Sequence, residues 1–99
     1  MNHIFEWDED KNRINYQKHG ITFEEATTVF DDEHMLLLAD EDHSDGEDRF
    51  LAVGYSGGSL YIPKLLLVCH CYRISDTIIR IISARRPTRQ ERKDYEERR

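Results

Sequence analysis

The sequence contains no apolar run of about 20 residues and only two cysteines. A membrane-spanning helix needs about 20 mostly apolar residues, and a disulfide framework needs more than one cysteine pair. Cys69 and Cys71 lie two apart in an apolar segment, which predicts that they share one side of a strand. We interpret both as reduced core residues, since His70 points the other way and the set is too small for zinc. The absence of a signal-peptide pattern predicts a cytoplasmic protein.

Lysine and arginine are scarce in the first half of the chain. Residues 1 to 48 hold 3 of them against 15 Asp and Glu, whereas residues 49 to 99 hold 11 against 5. The halves therefore carry charges of -12 and +6, while the net charge of -6 argues against a general nucleic-acid binder. This split favours either self-association, such as a homodimer, or a bipolar surface that offers phosphate only one face.

At 99 residues the chain is long enough for one small domain with a single modest core. Apolar spacing, helix caps and turn residues predict an α+β fold with the element order strand, helix, helix, four strands, helix. We expect a twisted antiparallel sheet of four to five strands, an N-terminal αα-hairpin packed on it, a polar C-terminal helix, and all helices on one side. The predicted strands are 3–7, 35–38, 49–55, 65–72 and 77–84, and the predicted helices are 9–19, 23–30 and a last one after Thr88.

Positive charge is concentrated between the last strand and the last helix. Pro87 ends an isoleucine-rich strand, and Thr88 with Glu91 forms a capping box that begins a helix. Cations at a helix start are disfavoured by roughly 0.3–1 kcal/mol each, so stability alone does not explain them. Free backbone N–H groups, the positive dipole end and arginine forks together favour phosphate. The cations at this junction are Arg85, Arg86, Arg89, Arg92 and Lys93.

Two other segments bear on the site. Residues 40–48 are acidic, but no register fits a calcium-binding loop, and we predict a solvated loop with neither a metal nor a cofactor. Tyr95 is the only large nonpolar residue of the last helix, which therefore has almost no apolar stripe. Such a helix is predicted to face solvent or a partner, or to be mobile.

Short motifs occur in a distinctive order along essentially the entire chain. They are Trp7-Asp8-x-x-Lys11, Lys18-His19-Gly20-Ile21-x-Phe23-x-x-Ala26, Phe30-Asp31-Asp32, Asp40 to Arg49-Phe50, Val53-Gly54, and Arg80-Ile81-Ile82-Ser83-Ala84-Arg85-Arg86 followed by Glu91-Arg92 and Tyr95. Together they resemble the BrnT toxin family. The resemblance implies a bacterial type II toxin with a RelE-like fold that cleaves RNA and is neutralised by a BrnA-like antitoxin. It also implies that promoter DNA is bound only by the toxin-antitoxin complex. The segment 60–64 departs from the family pattern as extra length.

Metal-independent RNA cleavage needs cations that neutralise the phosphorane. Arg80, Arg85 and Arg86 are the first candidates, because a guanidinium fork binds two phosphate oxygens and stays charged. In an ideal strand Ser83 and Arg85 share a face opposite Arg80, so the three meet only if the strand twists or bulges near Ser83. An ion pair with a carboxylate of the first helix or a loop is the structural alternative for Arg80.

The reaction also needs a base for the 2′-hydroxyl and an acid for the leaving 5′-oxygen. Histidine is the usual residue type for proton transfer, which makes His19 a candidate, yet Lys18 and His19 are equally explained as favourable charges at a helix C-terminus. Glu91, His70 and Tyr95 are further candidates, and each has a structural alternative. The capping box explains Glu91 and a core hydrogen bond explains His70, while Tyr95 either packs the helix, which is favoured, or stacks on a base. The predicted catalytic residues are Arg80, Arg85, His19, Lys18 and Glu91, and the predicted RNA-binding residues are Arg86, Arg89, Arg92, Lys93, Tyr95 and Ser83.

Two other functions are compatible with the same residues. The first is a catalytically silent interaction module whose basic helix start and polar last helix bind an antitoxin or another acidic partner. The second is a DNA-binding module, which is disfavoured by the net charge and by the absence of a helix-turn-helix pattern.

Overall fold

The computed structural model describes residues 3–41 and 48–98, and these form the predicted α+β fold. The order of elements agrees with the sequence analysis. Residues 42–47, which hold most of the predicted acidic loop, lie outside the described residues. The elements are β1 (Ile4–Glu6), α1 (Glu9–His19), α2 (Phe23–Thr27), a 3₁₀ helix (Thr28–Asp31), β2 (Leu36–Ala39), β3 (Phe50–Tyr55), β4 (Leu65–Arg73), β5 (Ile78–Arg85) and α3 (Arg89–Glu97).

The helix boundaries follow local capping chemistry. The Asp8 side chain accepts hydrogen bonds from the N–H groups of Asp10 and Lys11 at the start of α1. Gly20 ends the helix in the left-handed conformation, with φ of 72°. The second predicted helix is shorter than expected, because α2 continues after Thr27 as a 3₁₀ helix. Its β-branched residues favour helix less, and the Thr28 hydroxyl donates to the Glu25 carbonyl.

The five strands form one mixed sheet in the order β1-β5-β4-β3-β2. The strands β2 to β5 are antiparallel neighbours, as predicted from their short connections. In contrast, β1 pairs in parallel with β5 and places Glu6 opposite Arg80. Strands that are far apart in the sequence have no turn between them that would indicate their pairing, so the sequence did not predict it.

Helices cover both faces of the sheet, which corrects the prediction that they lie on one side. Phe23 and Ala26 of α2 pack against Ala52 and Val68 on one face. The next residues along these strands point to the opposite face, where Leu67 packs with Tyr95 of α3.

Tyr95 packs α3 against the sheet. The helix was predicted to face solvent or a partner, or to be mobile, but one of its side chains is buried. The Tyr95 side chain is 1% exposed, its ring lies edge-on to Tyr55, and its hydroxyl donates to Asp32 Oδ2 at 2.6 Å. Burial works to raise the pKa of Asp32, but hydrogen bonds from Tyr95 and from the N–H groups of Tyr55 and His34 outweigh it. The pKa of Asp32 is therefore lowered, and a carboxylate accepts the bond that holds the helix.

Asn15 fixes α1 beside the second half of β5. Its amide donates to the Ala84 carbonyl at 2.8 Å and accepts the Ala84 N–H at 3.1 Å, completing an edge that the short β1 does not reach. Lys18 and His19 follow one helical turn later, at the exposed C-terminal end of α1.

The 60–64 segment forms a pinned loop between β3 and β4. Tyr61 donates to Glu24, and Lys64 forms an ion pair with the buried carboxylate of Glu25. Between these anchors Ile62 is 83% exposed. No helix in the described parts of the chain combines the length and apolarity needed to cross a membrane.

Candidate nucleic-acid interface

A β-bulge in β5 sets the direction of its charged side chains. Cys69 is paired with Ser83 but His70 with Ile81, so Ile82 is an extra residue on β5. On either side of this bulge Ile81 and Ala84 both belong to the core under α1 and α2.

The same bulge places the predicted site residues together on the face that carries α3. Arg80 precedes Ile81, and Ser83 and Arg85 flank Ala84, so all three point away from the core that α1 and α2 cover. The condition stated from the sequence, a bulge near Ser83, is met.

Ser83 and Arg85 line a cleft of about 220 Å³ on this face. Arg49 and Asp40 form its opposite wall, and Cys69 contributes to its floor. The sequence analysis missed Arg49, which it treated only as the first residue of a strand. Alternation along β3 was the available signal, since it puts Arg49 on the same face as Leu51 and Val53.

Arg80 forms an ion pair, and its partner is not the predicted helix or loop carboxylate. Its Nη1 lies 2.8 Å from Oε2 of Glu6 on β1, directly opposite in the parallel register. Arg73 Nη1 approaches the same oxygen at 3.6 Å. Glu6 thus holds two guanidinium groups at the edge of this face.

Arg85 forms a two-bond pair with Glu91. Nη1 and Nη2 of Arg85 donate to the two carboxylate oxygens at 2.9 and 3.1 Å, and the Thr88 N–H donates to Glu91 Oε1 at 2.7 Å. The bond from Arg85 is the main reason that the pKa of Glu91 is lowered, while the bond to Glu91 raises the pKa of Arg85. Glu91 is therefore an anion at neutral pH that can accept a proton.

The cations on α3 differ in how far their charge is compensated. Arg92 and Lys93 lie 3.9 Å from Glu96 and Glu97 one turn later, and exposed pairs at this distance are weak. Arg86 and Arg89 are exposed, and within residues 3–41 and 48–98 neither forms an ion pair. The start of α3 therefore presents cations that remain available to an anion.

Comparison with protein families identifies the chain. Residues 7–91 match the family model described as "Ribonuclease toxin, BrnT, of type II toxin-antitoxin system". The chain belongs to the BrnT family. No individual curated protein gives a significant match. BrnT toxins are ribonuclease toxins of type II toxin-antitoxin systems at the family level, so an antitoxin partner is implied.

The matched BrnT span covers all five residues predicted as catalytic and stops within the first turn of α3. Lys18 and His19 lie inside it and are exposed at the end of α1. Tyr95 lies beyond the matched span and is buried, which agrees with the interpretation that it packs the helix. We therefore leave Tyr95 out of the proposed RNA-binding surface.

The two cysteines of this BrnT chain are reduced and buried in the core, as predicted. Burial raises the pKa of Cys69 to about 11, so it is a thiol rather than a thiolate at neutral pH. Among the described residues no three His, Cys, Asp or Glu side chains are grouped to hold a metal ion.

His70 is a buried core residue, as the sequence analysis favoured. Its Nδ1 lies 3.1 Å from the Val68 carbonyl and its Nε2 3.3 Å from the Tyr72 hydroxyl. A carbonyl only accepts, so Nδ1 carries the proton and Nε2 accepts from Tyr72. Burial lowers the pKa of His70 to about 4, so the ring is neutral and unsuited to proton transfer with substrate.

This buried histidine predicts acid sensitivity. The unfolded chain protonates His70 near pH 6.5 but the folded chain only near 4, so stability is full above pH 6.5 and falls as pH drops between these values. The expected loss is about 3 kcal/mol, at roughly 1.4 kcal/mol per pH unit. Urea unfolding of the parent and His70→Gln from pH 7 to 4 measures it. Equal slopes for the two proteins would contradict the assignment.

Proposed function

We propose that this chain is the toxin of a type II toxin-antitoxin system and acts as a metal-independent endoribonuclease that inhibits translation. The observation that carries the proposal is the bulge at Ile82, which puts Arg80, Ser83 and Arg85 on one sheet face. Arg49 adds a further cation to the cleft that Ser83 and Arg85 line on this face. Fixed cations on one face suit the charge that develops on a phosphorane.

RNA binding in this proposal exchanges one anion for another. The Arg80 and Arg85 forks now contact the carboxylates of Glu6 and Glu91, which present paired oxygens as a phosphate does. A scissile phosphate on the Arg85 fork lies beside Glu91. Arg86, Arg89, Arg92 and Lys93 contact neighbouring phosphates, which makes the affinity dependent on salt.

Proton transfer then follows from the charge states. Glu91, an anion with a lowered pKa, takes the proton of the 2′-hydroxyl as its oxygen attacks phosphorus. The P–O5′ bond breaks, and His19 or Lys18 at the end of α1 supplies the proton to the leaving 5′-oxygen. The products are a 2′,3′-cyclic phosphate and a 5′-hydroxyl, and no metal takes part.

The remaining parts of the proposal concern partners. A BrnA-like antitoxin neutralises the toxin, and promoter DNA is bound only by the complex of the two proteins. This fits the negative net charge, which disfavours DNA binding by the chain alone. Since the proposed toxin inhibits translation by cleaving RNA, we expect it to act in the cytoplasm.

Incubation of bulk RNA with the purified protein in EDTA tests the activity. We expect new ends, and mass spectrometry of the fragments should show 2′,3′-cyclic phosphates and 5′-hydroxyls. An antitoxin-bound sample serves as the control and should leave the RNA intact. Intact RNA with the free protein would contradict the ribonuclease assignment and favour the catalytically silent interaction module.

A further inference from the structure

β2 forms one edge of the sheet, and within the described residues no strand pairs with its outer side. The Asp40 N–H donates to the Arg49 carbonyl at 2.8 Å, so these two residues form a hydrogen-bonded pair between β2 and β3. Such pairs alternate in an antiparallel ladder, which directs the backbone groups of Leu37 and Ala39 outward. The edge therefore presents their N–H and C=O groups to a further strand.

One hydrogen-bond donor already binds the start of this edge. Arg98, which follows α3, donates from Nη1 to the Met35 carbonyl at 3.3 Å and to the His34 carbonyl at 3.5 Å. By the same alternation, Met35 is the outward-facing residue that precedes Leu37. The edge is thus geometrically able to accept bonds from outside the sheet.

The side chains of β2 lack the usual protection of an edge strand. Edge strands are normally interrupted by charge, proline or a bulge, but Leu36–Ala39 contains only apolar residues. Leu37 is 45% exposed. It borders an open cleft of about 470 Å³ that is also lined by Phe50, Tyr72, Asp48 and Asp76. A strand added beside β2 would place every second side chain on the same face as this cleft, next to Leu37.

Both ends of the edge are acidic. Asp31 and Glu33 precede β2, Glu41 follows it, and Asp48 lines the cleft beside Leu37. All four are exposed, and no ion pair within residues 3–41 and 48–98 compensates them. The complementary strand is therefore apolar in the middle and carries Lys or Arg at its ends.

We propose that β2 docks an extended basic segment of the antitoxin, which adds as a further strand to the sheet. Its main chain bonds Leu37 and Ala39, its apolar side chains fill the cleft beside Leu37, and its cations meet the acidic ends. Naming the antitoxin as the source rests on the proposed toxin-antitoxin function. The docking of a strand follows from the edge itself.

Two substitutions test this by separate means. Leu37→Glu puts a charge at the apolar cleft, and Ala39→Pro removes an outward N–H without removing a bond to β3. Ile62→Glu is the control, because Ile62 is also apolar and exposed but lies on the 60–64 loop. The full-length antitoxin encoded with the toxin is titrated into each variant by calorimetry. Matching circular dichroism and RNA cleavage equal to the parent confirm that each variant is folded.

The expected result is a loss of affinity of about tenfold or more for Leu37→Glu and Ala39→Pro, with Ile62→Glu within about twofold of the parent. Parent-like binding by both edge variants, or an equal loss in Ile62→Glu, would overturn the proposal. So would a dimer of the free parent that Leu37→Glu dissociates in sedimentation, since the edge would then pair with a second copy. Absence of RNA cleavage by the parent would instead contradict the proposed function and leave strand docking standing.

Discussion

Replacement of Arg85 by alanine should reduce kcat/KM for RNA cleavage by about 100- to 1,000-fold. Removal of one preorganised donor from a transition-state site typically has this effect. Arg85 is also the partner that lowers the pKa of Glu91, so the variant lets this pKa rise. The expected loss therefore comes from the missing cation at the phosphate and not from a weaker base. Initial rates on a defined single-stranded RNA, measured at subsaturating substrate, give the ratio directly.

The matched control for this loss is Arg13→Ala. Arg13 is an exposed arginine on α1. Its guanidinium lies 3.5 Å from the Asp10 carboxylate, and neither residue belongs to the proposed site. It should retain nearly the parent rate. Arg85→Lys keeps the charge but loses the fork, and we expect an intermediate rate. A parent-like rate for Arg85→Ala in a folded protein would show that the phosphate site lies elsewhere.

Tyr95→Ala should lower the free energy of unfolding by about 3 to 5 kcal/mol, as expected for truncating a fully buried aromatic side chain. The Tyr95 ring is the main apolar contact of α3, packed with Val53, Leu65 and Leu67. Its loss should undock the helix and release Glu91 from Arg85. Urea unfolding measures the stability, and hydrogen exchange of residues 89–97 reports the docking of the helix.

Tyr95→Phe separates the ring from the hydroxyl. It retains the packing and removes only the 2.6 Å bond to Asp32, so we expect a smaller loss of about 1.5–3 kcal/mol. Exchange protection of α3 should survive. If Tyr95→Ala were as stable as Tyr95→Phe, the packing account of α3 would be wrong.

Local signals predicted the helices well because caps act over three or four residues. Asp8, Gly20 and Thr88 lie where the sequence placed them, and each makes the capping contact expected of it. Consecutive strands were also correctly paired, since short polar turns leave few alternatives. The parallel pairing of β1 with β5 joins the chain ends and has no such signal.

Faces were harder to predict than elements. One extra residue, Ile82, reverses the alternation of β5 and decides whether Arg80 and Arg85 lie on the same face of the sheet. A bulge depends on how two strands fit together, so its sequence condition could be stated but not its occurrence. The docking of α3 was missed for a similar reason. A single apolar residue forms no apolar stripe, so the sequence pattern did not predict that α3 packs on the sheet. In the structure the contacts of Tyr95 with Asp32 and Tyr55 hold the helix.

The carboxylate partner of Arg85 was not predicted, and for Arg80 an ion pair was expected only as an alternative. The pairing of Glu91 with Arg85 arises because the capping box fixes Glu91 at the first turn, within reach of the end of β5. The partner of Arg80 was expected on a helix or loop, but Glu6 reaches it through the unforeseen parallel strand. The charge composition predicted the basic junction, but the carboxylates that pair with its arginines could be identified only from the fold.

The measurement that most directly tests the phosphate site is nuclear magnetic resonance of the ¹⁵N-labelled protein titrated with 2′-O-methyl RNA, which binds but lacks the attacking hydroxyl. The account predicts the largest shifts at the Nε–H groups of Arg80 and Arg85 and at the backbone N–H of Ser83. It also predicts that Arg13 does not respond. Shifts confined to surfaces away from this face, with Arg80 and Arg85 unchanged, would contradict the central claim that RNA phosphate binds where the bulge at Ile82 gathers these side chains.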